Sequence, residues 1–268
     1  MALRAVEAGA AKARGDVASL FALAVLAGAF VALGAAFATA AVAGAGDLPW
    51  GVSRLLGGLA FSLGLVLVVN AGAELFTGDN LVVIAWAARR VRTGRLLRLW
   101  AVVYAGNLVG ALATAGLVFA TREHTLGGGA VGDAALTVAA AKSSLGWGQA
   151  VALGILCNAL VCLAVWLTYG ARTLTDRVLA VVPPVTAFVA LGFEHSIANM
   201  YFLPYALLVR SDRSWLASRT GLPDLTGLRW DRALWANLAP VTLGNVIGGV
   251  VLVGAVYWFI YLRPRPTT

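Results

Sequence analysis

FEHSIANM, residues 193–200, lies within an apolar run from Val178 to Val209, and Glu194 and His195 are the only members of that run that are charged or titrate near neutrality. An ionisable side chain at the centre of a membrane-spanning helix costs about 2.5 to 3.5 kcal/mol on insertion scales. A carboxylic acid beside an imidazole in such a place therefore marks either a functional site or a device that satisfies freed backbone groups. Adjacent residues on a helix point about 100° apart, so the two side chains have different surroundings. His195 is expected to face a pore and Glu194 to turn into the protein, towards Asn158 or free amides in an earlier interruption of the chain.

The rest of the chain sets that run in a membrane. Of 268 residues, 60% are hydrophobic and 12% charged, with a mean hydropathy of +0.86. A soluble domain carries about 25% charged residues. A hydrocarbon core about 30 Å thick needs about 20 apolar residues per helix. Six such spans are expected, at about 17–45, 57–88, 99–121, 145–170, 178–209 and 236–262. They are expected to form a single transmembrane domain over 1–268, with no soluble domain beside it. Val17 to Gly46 is uncharged throughout and longer than the roughly 7 to 15 residues of a secretory signal core, so it reads as a span. Cys157 and Cys162 are five residues apart in one run, about 7.5 Å along a helix axis, too far to bridge.

The second and fifth spans are overlong and interrupted. The second carries AELFTGDN (73–80), with Glu74, Thr77, Gly78 and Asp79. The fifth carries Pro183, Pro184 and Gly192 before Glu194, His195 and Ser196. Irregular backbone at membrane depth is tolerated only inside protein or beside a watery cavity, so both breaks are expected to face the interior. GNLVG (106–110) in the third span is echoed by GNVIG (244–248) in the sixth. Each half (about 17–121 and 145–262) is thus ordered plain helix, broken helix, GNxxG helix. Three spans per half is odd, so the halves insert with opposite orientation, the inverted-repeat plan of many transport folds. With the N-terminus inside, 12 of the 20 basic residues are cytoplasmic, Arg263 and Arg265 among them, and the loops carry +9 inside against +2 outside. The pI near 10.2 then reflects topology, because the basic residues are dispersed among short loops; nucleic acid is not an expected partner.

AELFTGDN, VVYAGNLVGA, GILCNALVCLAVW, GFEHSIANM and LAPVTLGNVIGG, in this order from about Asn70 to Gly249, together resemble the formate/nitrite transporter family, and its formate members in particular. The resemblance implies an all-α, six-span, aquaporin-like protomer, assembled as a homopentamer in a bacterial cytoplasmic membrane with both termini cytoplasmic. Each subunit would hold one pore for a small monovalent anion such as formate, nitrite or hydrosulfide. It implies a threonine in the second-span break, Thr77, facing the central His195. The vestibule lysine falls on Lys142, with Asn158 beneath it and Glu194 beside the histidine. Apolar constrictions fall on Phe61, Leu65, Leu75, Val161 and Phe188.

Burying an unpaired anion in an apolar constriction is very costly, whereas its neutral acid crosses cheaply. Some group must pair or neutralise the charge. Lys142 at the mouth would concentrate anions, or would simply lie at the interface with its stem buried. His195 would then pair the anion or give it a proton. Asn107 and Asn245 are expected to satisfy backbone groups of the opposite broken helix rather than touch substrate. No cofactor or metal is expected; the second histidine, His124, lies in a loop. The rival class, an intramembrane enzyme, lacks a GxSxG or HExxH motif and is disfavoured. Formate is preferred to nitrite; channel and proton-coupled carrier both stay open.

Overall fold

The computed structural model describes residues 1–263, so Arg265 lies outside the described residues. The chain is all-helical. A short amphipathic helix α1 (Ala2–Arg14) leads into α2 (Val17–Val42), whose first turn is capped by the Asp16 carboxylate accepting from the Ser19 amide. Then come α3 (Trp50–Ala71), the short α4 (Phe76–Asp79) and α5 (Val82–Ala87), and α6 (Thr93–Ala120). The second half runs through α7 (Ala130–Ser143), α8 (Trp147–Thr168), α9 (Leu174–Ala190), α10 (Ser196–Ser211), α11 (Arg213–Ala217) and the long α12 (Trp230–Tyr261). Among the described residues, α2, α3, α6, α8 and α12 are each long and apolar enough to cross a membrane unaided.

The observed helices extend beyond several expected bounds, because amphipathic turns continue past the purely apolar stretch. α3 starts at Trp50 rather than 57, α6 at Thr93 rather than 99, α9 at Leu174 rather than 178 and α12 at Trp230 rather than 236. A second correction concerns the fifth span. Pro183 and Pro184 lie within α9, which runs on to Ala190; the interruption comes later, at Gly192, whose φ is +73°. The matching interruption after α3 also opens on a left-handed glycine, Gly72 at φ +70°. A proline removes one amide donor, and a helix can pass through that loss where its surroundings permit, whereas a left-handed residue turns the chain out of the helix altogether.

Bundle packing rests on glycines that bring backbones into contact. Gly106 and Gly110 of α6 lie against Phe21, Ala24 and Val25 of α2, and Gly28 of α2 lies against the Asn107 backbone. The second half repeats the arrangement, with Gly244 and Gly248 of α12 on Val151 and Ile155 of α8, and Gly154 of α8 on Val241. This is the small-residue packing by which helices associate without a hydrophobic driving force between them. α1 and α7 lie on opposite halves of the chain and also correspond, each burying one face (Ala5, Val6, Gly9, Ala10 and Ala13; Val131, Gly132, Ala135, Leu136 and Ala139).

A methyl group at Gly110 or Gly248 would be driven onto the carbonyl oxygen of Val25 or Ile155, which as backbone cannot swing aside. Gly110→Ala and Gly248→Ala are therefore expected to lose about 1 to 3 kcal/mol of stability, the cost of overpacking. Gly116→Ala, which meets nothing within 4 Å, is the control. Thermal unfolding of the three purified variants in one detergent measures the difference, and equal melting temperatures would refute the close-packing account.

Candidate functional site

The two interruptions are built alike. After α3, the Ala73 amide donates back to Val68 and the Glu74 amide to Leu23; after α9, the Phe193 amide donates back to Phe188 and the Glu194 amide to Leu153. The chain then runs extended for one residue before a helix restarts. Leu75 (φ −112°, ψ 121°) and His195 (φ −111°, ψ 113°) hold nearly the same conformation. Each interruption is sutured by one buried asparagine. Asn107 accepts from the Phe76 amide and donates to the carbonyls of Ala24 and Glu74. Asn245 accepts from the Ser196 amide and donates to the carbonyls of Gly154 and Glu194. The expectation that these amides serve the opposite half is therefore corrected: each serves the interruption of its own half, because α6 and α12 lie directly behind it.

The sutures bring the two interruptions together, and a hydrogen bond between Thr77 and His195 joins them. The Ala198 amide donates to His195 Nδ1 at 3.1 Å, so the histidine caps the start of α10 with its own ring. That bond leaves the proton on Nε2, which donates to Thr77 Oγ1 at 2.9 Å. Both side chains are buried, Thr77 wholly and His195 at 4% exposure. The pairing of Thr77 with His195 is thus present. The ring of His195 lies nearly parallel to that of Phe188, 5.9 Å away, and Phe188 meets Phe61 edge-on at 5.7 Å.

His195, Phe188 and Phe61 form part of the wall of a cavity of about 310 Å³, which is also lined by Lys142, Glu194, Arg54 and Phe202. Lys142 Nζ donates to Glu194 Oε1 at 2.8 Å, and the other carboxylate oxygen accepts from Asn199 (2.6 Å) and Asn237 (3.3 Å). Glu194 therefore turns towards Lys142, Asn199 and Asn237, and not towards Asn158 or the other interruption. Lys142 is likewise not a snorkelling residue, since its ammonium is bound and its side chain only 14% exposed. Asn158 is not part of this group. It donates to Asn80 Oδ1 and to the Asn245 carbonyl, deep between the halves. Leu65, Leu75 and Val161 are buried but lie outside the wall of this cavity.

A second charged cluster occupies the corresponding place in the first half. Lys12 on α1 donates to Glu74 and to Asp79, each at 2.6 Å. Burial lowers the pKa of the Lys12 ammonium, but the Asp79 and Glu74 carboxylates raise it by more, so the group stays charged. Lys12 and Lys142 are the only lysines in the chain, and each ends the tripeptide Ala-Ala-Lys. That repeated tripeptide is the signal by which α1 and its lysine could have been read as the counterpart of α7. Phe202 and Arg54 had no comparable signal, one being an aromatic in an apolar run and the other a single arginine at a span end.

Against this geometry, the formate/nitrite transporter family model matches residues 1–259. The chain belongs to that family. It is 44% identical over 266 residues, 98% of its own length and 93% of the relative's, to the formate channel FocA of Escherichia coli strain K12. It is 36% identical to a probable formate transporter of Methanothermobacter thermautotrophicus, over 94% of this chain and 92% of that one. Among solved structures it superposes with a TM-score of 0.84 and 42% identity on a pentameric formate channel with formate bound, covering 92% of this chain and 98% of that one.

Each suturing asparagine makes three buried hydrogen bonds to main-chain groups of helix interruptions and neighbouring helices. Asn107→Leu and Asn245→Leu leave one amide (Phe76 or Ser196) and one carbonyl (Glu74 or Glu194) of the interruption without this partner, each costing about 1 to 3 kcal/mol, whereas the Ala24 and Gly154 carbonyls keep their helical bonds within α2 and α8. Both variants are expected to unfold in detergent at lower temperature than the parent, and Asn107→Gln, too long for the same contacts, to rescue little. A variant that melts with the parent would show that the interruptions are held by something else.

Proposed function

We propose that the protein is a membrane channel or transporter for formate, with the anion crossing between Thr77 and His195. The observation that carries this reading is the buried His195 Nε2–H, aimed at Thr77 between two helix interruptions and stacked on an aromatic ring at the wall of a cavity. A small carboxylate entering that wall must shed water. An N–H donor and a hydroxyl in the same place replace part of its hydration, and hydrogen bonds to a charged group are worth about 1.5 to 3 kcal/mol each. His195 acts here as a donor that pairs the anion. Phe61 and Phe188 form the constriction above it. Leu65, Leu75 and Val161 form the constriction on the Thr77 side, where Leu75 takes the place in its interruption that His195 takes in the other. Lys142 and Glu194 line the vestibule as a bound pair; Asn158, Asn107 and Asn245 hold the walls.

The architecture in this reading is one transmembrane domain over residues 1–268 with six spans in two inverted repeats. α3 with α4 and α5, and α9 with α10, are the broken second and fifth spans. The corresponding sutures, the glycine contacts and the two lysines support the repeat. The pentameric assembly of the similar structure supports a homopentamer with one pore per subunit. The charge bias of the loops supports a cytoplasmic N-terminus, an orientation in which the Lys142 cavity would open on the outer face of a bacterial inner membrane. Formate is preferred to nitrite because the FocA and probable-transporter relatives are named for formate.

Purified protein in liposomes, loaded with formate or with nitrite, tests the reading. His195→Asn retains a donor of different reach and His195→Leu none. The leucine variant is expected to slow formate flux by about ten- to a hundredfold, the loss of one donor to a desolvated anion. Flux in His195→Leu equal to the parent, at every pH gradient applied, would remove His195 from the pathway. Nitrite flux with no formate flux would correct the substrate.

A further inference from the structure

The proposal concerns Arg54 and rests on the anion-transport reading above. Three charged side chains line the His195 cavity: Lys142, Glu194 and Arg54. The first two cancel, since the Lys142 ammonium is bound to the Glu194 carboxylate at 2.8 Å. Arg54 has no carboxylate within ion-pair distance among the described residues. Its Nε donates to the Ala190 carbonyl at 2.9 Å and its Nη2 to the Val189 carbonyl at 2.6 Å. These are terminal carbonyls of α9, just before the interruption at Gly192. The guanidinium is thus clamped across the helix end, where cations are favoured but are only partly compensated by the helix dipole. Nη1 makes no hydrogen bond among the described residues, so that three of the five donors of the planar fork are unused, two of them on Nη1.

We propose that Arg54 is the anion-docking subsite at the mouth of the pathway, taking a small monovalent carboxylate or similar oxyanion on Nη1, and that it rather than Lys142 supplies the positive potential of the vestibule. Arg54 lies in the first turns of α3, seven residues before Phe61, about 10 Å along the helix axis from the constriction. An anion held at this point has entered the cavity but keeps part of its water. A clamped guanidinium keeps its geometry while the anion comes and goes, whereas a lysine there would be a mobile point charge. Because Lys142 is neutralised in place, substituting it would expose the Glu194 charge and repel anions. A loss of flux in such a variant therefore says nothing about recruitment by Lys142.

The test is initial formate flux into liposomes against formate concentration, at low and high ionic strength set by an impermeant salt, for the parent, Arg54→Gln and Arg54→Lys. Arg54→Gln is expected to raise the half-saturating formate concentration about tenfold at low salt, the lower end of the range that steering by charge commands. Its maximal flux is expected to stay close to that of the parent, and its dependence on salt to be largely lost. Arg54→Lys is expected to keep most of the salt dependence. Parent-like half-saturation and salt dependence in Arg54→Gln would overturn the proposal. A fall in maximal flux shared by both variants, at unchanged half-saturation, would also overturn it and assign Arg54 to capping α9. If Arg54→Gln is not recovered folded, as judged by its melting temperature, Arg54→Met, which also removes the charge, is read in its place by the same criteria. A parent that passes nitrite but not formate would end the formate reading alone, with the Arg54 comparison then made on nitrite; a parent that passes neither would end both.

Discussion

Main-chain amides and carbonyls set free inside an apolar slab have no water to bond, and each left unpaired costs about 1 to 3 kcal/mol or more. The two interruptions expose such groups where hydrocarbon and helix surround them. Asn107 and Asn245 settle the matter in the same way, each with one acceptor and two donor contacts. Their amides reach the interruptions only because α6 and α12 approach α2 and α8 closely, which in turn requires Gly106, Gly110, Gly244 and Gly248. Placement of His195 against Thr77 depends on this chain of contacts. Without it, the interruption would relax towards helix, and the ring would turn away from the opposing hydroxyl.

The scaffold is symmetric, but the chemistry laid on it is not. Leu75 and His195 share a backbone conformation and a place in the sequence of contacts, yet one is an aliphatic side chain and the other a hydrogen-bond donor. Lys12 and Lys142 also correspond, as do Glu74 and Glu194, but Asp79 stands where the second half has Asn199. The first cluster thus sets one cation against two carboxylates, and the second balances one against one. In the proposed pathway, an anion on the His195 side meets a neutral pair and the Arg54 guanidinium, which only the carbonyls of α9 offset.

Much of this was legible in the sequence. Polar residues in apolar runs are costly enough to be deliberate, so AELFTGDN and FEHSIANM marked the interruptions, and GNLVG and GNVIG marked the repeat. What failed were statements about direction and partner. Of Pro183, Pro184 and Gly192, which together read as the interruption, only Gly192 ends the helix, because a lost amide donor does not force a turn and a left-handed residue does. An asparagine in a repeat can face either half, and only packing puts it behind its own interruption. Glu194 lines the cavity beside Lys142 instead of turning away from it towards Asn158, and its partners Asn199 and Asn237 lie 5 and 43 residues away, so that packing alone brings the second of them to it. Phe202 and Arg54 emerged only from the shape of the cavity.

The hydrogen bond at His195 Nδ1 constrains what the ring can do to an anion. In the neutral ring Nδ1 accepts from the Ala198 amide, and Nε2 carries the proton that points at Thr77. Giving that proton to a carboxylate would leave an imidazolate, unless Nδ1 gained a proton in the same event. Protonating Nδ1 would turn its hydrogen against the Ala198 N–H and undo the cap of α10, worth about 1 kcal/mol for an ordinary N-cap, before counting the burial of a second positive charge. Donating a hydrogen bond without transferring the proton incurs neither cost. In the proposed pathway, the ring geometry therefore favours a histidine that pairs the anion over one that gives it a proton.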